Sequence, residues 1–180
     1  CDEIVKIGLS RQKNKALVDG IKDKTNKNLT KLRDSDVVWL DDVWLRNLIW
    51  SFVNDANINA DWNFIYNNPE AAQFTIYDKN QHYDWHQDLS FDKNQKGQPQ
   101  NSQRKLSATI QLTDEKEYKG GELLLSTTTG KNKNKILTNK LFKKKGTIVV
   151  FPSYTFHKVT PVTQGVRYSL VMWFRGPSFQ

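Results

Sequence analysis

His86, Asp88 and His157 are the residues whose types and spacing could do chemistry together. His86 and Asp88 stand two apart in Gln81 to Asp88, which reads Gln-His-Tyr-Asp-Trp-His-Gln-Asp. On a strand, or at its end, side chains two apart point to one face and can reach one point. His157 comes from a distant segment preceded by apolar residues and a Pro turn. Two imidazoles and one carboxylate suit a non-haem iron(II) and leave octahedral positions open for a chelating cosubstrate and dioxygen. A lone His-x-Asp arises by chance, and ordinary surface or core histidines are the alternative.

Arg167 stands ten residues after His157, and Ser169, Val171, Trp173 and Arg175 follow at its parity. Inward-facing Arg and Ser beside a metal could hold a dicarboxylate, because a guanidinium pairs with a carboxylate bidentately and needs an anion to offset its burial. The bland reading is an arginine at the surface or rim. His82 shares parity with His86 and Asp88 and could approach the same pocket. Three ligands already complete the set, so a rim or supporting role is expected for it.

Strands must position such a site, and the texture after Pro69 is that of short strands separated by turns. Candidate strands are Gln73 to Tyr77, His82 to Trp85, Leu106 to Leu112, Glu122 to Ser126, Lys135 to Thr138, Thr147 to Phe151, Phe156 to Val162 and Arg167 to Phe174. Gly120-Gly121, Thr129-Gly130, Lys145-Gly146 and Gln164-Gly165 punctuate them. Leu89 to Gln103 is too polar for a buried strand and reads as a mobile lid or plain disorder.

Ahead of these strands, Cys1 to Leu9 reads as a short helix, with Asp2 and Glu3 near its start. Gln12 to Asp36 reads as a surface excursion with little regular structure. Trp39 to Asn54 has apolar residues at helical spacing and should lay a broad stripe on a sheet. Asp55 to Pro69 is turn-rich, and the alternation of Trp62, Phe64 and Tyr66 could extend a short strand. The expected fold is mainly β with N-terminal helices: a double-stranded β-helix, or jelly roll, with helices packed on one sheet. One domain is expected over 1–180, with 1–69 as helical support and 70–176 as the jelly-roll core.

The hydrophobic fraction is 37%, but it includes six Trp, nine Phe and six Tyr, which bury large areas per residue. Cys1 is the single cysteine. It excludes an intramolecular disulfide and a thiolate zinc site from one chain, and it favours a reducing, cytoplasmic compartment. The chain begins without Met, so an upstream segment or signal could have been removed. No apolar run approaches the roughly 18 to 20 residues that span a bilayer, and no membrane association is expected. The net charge is +8. It could mark an acidic partner or nucleic acid, but lysines spread through Lys13 to Lys31 and Lys131 to Lys145 read best as solvated surface.

The residues resemble the iron(II)/2-oxoglutarate-dependent oxygenases, within them the prolyl 4-hydroxylase superfamily, and there the PKHD-type hydroxylase branch. The similarity is densest from Gln73 to Gly176. It rests on Tyr77 with Tyr83 to Asp88, Arg104-Lys105-Leu106-Ser107-Ala108-Thr109, Tyr118-Lys119-Gly120-Gly121-Glu122-Leu123, and Phe151-Pro152-Ser153 followed by His157-Lys158-Val159-Thr160-Pro161-Val162-Thr163. The opening Cys1-Asp2-Glu3-Ile4 and the Trp39 to Trp62 region also look like this branch.

The resemblance implies His86, Asp88 and His157 as iron ligands, with 2-oxoglutarate and dioxygen as cosubstrates and ascorbate as a candidate reductant. It implies Arg167, with Ser169 beside it, at the distal carboxylate of 2-oxoglutarate, and Tyr77 in contact with the cosubstrate. Tyr83 and Trp173 match aromatic residues near metal and substrate, and Arg104 matches an arginine that contacts peptide. Two positions depart from the pattern: many relatives carry Lys at 167 and Thr at 123. Leu123 removes one hydrogen bond to the cosubstrate, and Gln111 is the candidate to replace it. The implied reaction hydroxylates an unactivated C–H, in the first instance of a prolyl residue in a peptide or protein, while 2-oxoglutarate is decarboxylated to succinate. The rivals are a nucleic-acid demethylase of the same superfamily, suggested by the charge and Arg175, and a non-catalytic jelly-roll binding module.

Overall fold

The computed structural model describes residues 1–16, 31–89, 102–126 and 136–179. Most of the expected lid between Leu89 and Gln103, and part of both lysine zones, lie outside the described residues.

Helix α1 (Asp2–Ser10) opens the chain. Short strands β1 (Asn14–Lys15) and β2 (Arg33–Asp34) follow, then strand β3 (Asp36–Leu40), so the expected excursion up to Asp36 contributes strands on either side of 17–30. Trp39 and Leu40, expected in a helix, belong to β3. The run Val37-Val38-Trp39-Leu40 is β-branched and aromatic, and it pairs with Leu40 opposite Ala72 and Val38 opposite Phe74. Helix α2 (Val43–Asn59) begins only after extended Asp42.

Next come β4 (Asn68–Pro69), β5 (Ala72–Tyr77), β6 (His82–His86), β7 (Ser102–Gln111), β8 (Lys119–Gly120), β9 (Leu123–Ser126) and β10 (Ile136–Leu137). A 3₁₀ turn (Lys140–Lys143) leads to β11 (Ile148–Pro152), β12 (His157–Val159), β13 (Val162–Gln164) and β14 (Arg167–Pro177). Trp62, Phe64 and Tyr66 form no strand; they pack, partly buried, on the core. The stretch Phe156 to Val162 is two strands, interrupted where Pro161 has no N–H to give a ladder.

All strand pairings among the described residues are antiparallel. The larger sheet runs β1-β3-β5-β14-β7-β11, with β4 also on β14, and the smaller runs β10-β9-β12-β6-β2. Strands β8 and β13 form a separate pair. This is the expected jelly roll, and its larger sheet sorts side chains by parity. On β14, Leu170, Met172 and Phe174 join the core, as do Phe74 and Ile76 of β5 and Leu106, Ala108 and Ile110 of β7. Their neighbours Arg167, Ser169, Val171, Trp173, Gln73, Tyr77 and Thr109 line a cavity on the other face. A one-residue slip of β14 would exchange the two sets.

Helix α2 covers the core face, but more narrowly than its composition suggests. Leu45, Ile49, Val53 and Asn57, every fourth residue, are its buried positions. Val43, Trp44, Leu48 and Phe52 are 65%, 46%, 47% and 47% exposed, so the broad apolar stripe expected against the sheet is only half used. No helix among the described residues is long and apolar enough to cross a membrane.

Candidate metal centre

His86 ends β6 and His157 begins β12, directly opposite it in the ladder. Two rungs on, Val159 faces Tyr83, so β6 carries one residue more than β12 between the paired positions. That bulge lets Tyr83 and His86, three apart, line the same cavity. It also upsets the simple parity by which His82 would accompany His86. The His82 ring nitrogens instead lie 3.3 and 3.1 Å from the carbonyls of Asn80 and Lys31, and His82 is absent from the cavity wall. Asp88 stands just past β6, where its backbone N–H donates to Ser153 O at 2.9 Å.

The three candidate ligands converge, with one ligand atom from each lying within 4.8 Å of the others. His86 Nε2 is 3.6 Å from Asp88 Oδ1, and His157 Nε2 is 3.5 Å from Asp88 Oδ2. Each Nδ1 meets a backbone carbonyl two residues back, Asp84 O at 2.7 Å and Thr155 O at 2.9 Å. An Nδ1–H donated there leaves the Nε2 lone pair for a metal, as in histidine sites generally. Burial, and after it the proximity of His157, pushes the His86 imidazole down to about 3, so it is neutral and ready to bind. Burial opposes the charge of Asp88, but His157, His86 and Arg104 outweigh it and hold the carboxyl at about 2. Buried Asp88 Oδ2 has no hydrogen-bond partner. That cost, about 1–3 kcal/mol or more for a charged group, is one a cation would offset. Donor types and orphaned oxygen both fit an iron(II).

The cavity continues from the triad to Arg167, which is 3% exposed. Arg167 Nη1 donates to Ser169 Oγ at 3.3 Å, and its Cζ lies 5.5 Å from the Tyr77 ring centre. Arg167, Ser169 and Tyr77 therefore line the cavity together, as does apolar Leu123. Gln111 does not. Its Nε2 donates to Thr113 O at 2.9 Å, turning the amide along its own strand's exit and away from the role expected of it.

Tyr83 and Trp173 add aromatic faces to the cavity wall. The Tyr83 ring stacks on His86 with centroids 3.4 Å apart and planes at 11°. Arg104 lies over Trp173 at 3.9 Å and donates to Asp88 O at 3.4 Å, but it is not on the wall. Its guanidinium grips Glu70 through Nε at 2.7 Å and Nη2 at 2.6 Å, so it faces an internal carboxylate where a contact with peptide was expected. Arg175 reaches the same Glu70 at 2.8 Å and is 1% exposed.

The sequence reading passes over Arg33 and Glu70. Arg33 enters from β2 opposite Tyr83, lies 4.5 Å over that ring, and lines the cavity. Both residues stand in stretches without apolar periodicity, and only their partners mark them.

A family model described as the 2OG-Fe(II) oxygenase superfamily matches residues 72–175. The chain is 36% identical over 104 residues to the PKHD-type hydroxylase YbiX of Escherichia coli O1:K1 and of Escherichia fergusonii. That match covers 57% of this chain and 41% of each relative, so the matched part is about two-fifths of their length. Among solved structures, a Pseudomonas putida prolyl-4-hydroxylase superposes with TM-score 0.63 at 21% identity, covering 91% of this chain and 78% of that one. A Trichoplax adhaerens prolyl hydroxylase superposes with TM-score 0.66 at 17% identity, covering 96% and 74%. These two likenesses concern the fold. Taken with the His86, Asp88 and His157 cluster, the family match means that the chain belongs to the 2OG-Fe(II) oxygenase superfamily, whose members use iron(II), 2-oxoglutarate and dioxygen.

Proposed function

We propose that this protein hydroxylates an unactivated C–H of a peptide or protein, in the first instance at a prolyl residue. The observation that carries the reading is a single cavity lined at once by His86, Asp88 and His157, by buried Arg167 with Ser169, and by Tyr83 and Trp173. His86, Asp88 and His157 would hold iron(II), which when bound supplies the oxidising chemistry that couples 2-oxoglutarate and dioxygen to hydroxylation. The chain's own groups do the rest. Arg167 and Ser169 hold the distal carboxylate of 2-oxoglutarate, and Tyr77 closes the cavity beside it. Tyr83 and Trp173 offer two aromatic walls that suit a compact apolar ring such as that of proline. The His86 imidazole and the Asp88 carboxyl enter the reaction already deprotonated.

Support for a peptide comes from the Trichoplax adhaerens relative, which is described in complex with a hypoxia inducible factor oxygen degradation domain peptide fragment. The demethylase alternative loses its main residue: Arg175 is spent on Glu70 and on Ser102, whose backbone carbonyl it meets at 2.8 Å, and it does not line the cavity. Mass spectrometry of proline-containing peptides after incubation with iron(II), 2-oxoglutarate and ascorbate tests the reading. A gain of one oxygen on proline, with succinate formed in step, is expected; succinate formation coupled only to non-peptide substrates would overturn it.

A further inference from the structure

The far end of the cavity has few groups for a carboxylate besides Arg167. Leu123 is apolar and Gln111 is turned to Thr113 O, which leaves the Ser169 hydroxyl, still able to donate while it accepts from Arg167. Two buried polar groups nearby are unsatisfied. The Tyr118 hydroxyl and Arg167 Nε each lack a hydrogen-bond partner, although Arg167 lies close enough to act on the phenol. Tyr118 is 3% exposed.

The contact between them is built into the Tyr118–Gly121 turn. A Cβ on Gly121 would sit 2.9 Å from Arg167 Cδ and 3.3 Å from Tyr118 Cε2. The missing side chain is therefore what lets the arginine stem and the phenol ring share that space, and the left-handed φ of +58° there also favours glycine. Lys143 Nζ lies 5.2 Å from the ring centre on the Tyr118 side. Tyr118 does not line the cavity, whereas Arg167 does, so the phenol reaches a ligand only through the arginine.

We infer that Tyr118 is a positioning residue for 2-oxoglutarate: its hydroxyl accepts from Arg167 Nε when the outer guanidinium nitrogens engage the distal carboxylate. Two orphaned groups are satisfied in that one adjustment, and each would cost stability if left unpaired. The arginine is then fixed in plane for a two-pronged grip. The inference rests on the assignment of Arg167 to that carboxylate.

The test is calorimetric binding, without oxygen, to the manganese(II)-loaded protein. The ligands are 2-oxoglutarate and 2-oxobutyrate, a 2-oxo acid with no distal carboxylate. Tyr118→Phe, which keeps the packing, should bind 2-oxoglutarate about tenfold more weakly, the worth of one hydrogen bond involving a charged group. It should bind 2-oxobutyrate as the parent does. Added to Arg167→Met, the same change should have no further effect on 2-oxoglutarate. Unchanged 2-oxoglutarate binding by Tyr118→Phe, an equal loss for both acids, or an additive loss in the Arg167→Met background overturns the inference. If Arg167→Met alone binds 2-oxoglutarate as tightly as the parent, the Arg167 assignment fails and the inference falls with it.

Discussion

Glu70 carries two guanidiniums on one carboxylate, and its consequences reach Asp88. Arg104, held by Glu70, lies on Trp173 and donates to the Asp88 carbonyl, so one carboxylate supports both a ligand and a wall of the cavity. Removing one partner from a buried ionic cluster leaves charge uncompensated. Glu70→Gln should accordingly lose about 3–5 kcal/mol in urea unfolding. Burial opposes the charge of Glu70, but hydrogen bonds and charge from Arg104 and Arg175 outweigh it and hold the carboxyl below its ordinary 4.5. A depressed folded value means that this stability is present above about pH 4.5 and is lost as the pH falls through the lower folded value. Glu70→Gln should flatten that part of the acid-unfolding profile, and an unchanged profile would contradict the role given to Glu70. At this scale the sequence was most legible where chemistry restricts residue type. His86, Asp88, His157, Arg167 and Ser169 line one cavity, whereas Gln111 and Arg104 do not, because Thr113 O takes the Gln111 Nε2–H and Glu70 takes the Arg104 guanidinium.

Strand parity was the readable part of the elements. Alternation along β14 told which residues would face the cavity and which the core, and the structure keeps that division from Arg167 to Phe174. Parity failed at β6, where one extra residue against β12 turns Tyr83, in place of His82, toward the cavity that His86, Asp88 and His157 line. A bulge leaves no mark on hydrophobic periodicity. Periodicity also merged β3 with α2, since a short apolar run serves either element until pairing decides it. The two faces of α2 allow a direct check. Ile49 is 1% exposed and Trp44 46%. Ile49→Ala should cost about 2–5 kcal/mol, and Trp44→Ala about 0.5 kcal/mol, both measured by chemical denaturation. Similar losses at the two sites would mean that the stripe is packed on both sides.

Taken whole, the molecule is a jelly roll whose second sheet and N-terminal segment close on a cavity built from the first. The family match spans 72–175, yet Arg33 and Glu70 come from before it, which is why motif reading alone could not find them. Because the triad gathers β6, the segment beyond it and β12, metal binding should stabilise the fold. At a free ion concentration near 100 times the dissociation constant the gain is about 2.7 kcal/mol, or roughly 5–10 °C in melting temperature for a chain of this size. Addition of a chelator should reverse it. Anaerobic calorimetric titration of the metal-free protein with iron(II) reads out whether His86, Asp88 and His157 hold one ion. The parent should bind one iron(II) per chain, and His86→Ala, Asp88→Ala and His157→Ala, each folded by circular dichroism, should bind at least about 100-fold more weakly. A folded triad variant that takes up iron(II) with the parent's affinity and stoichiometry would contradict the account.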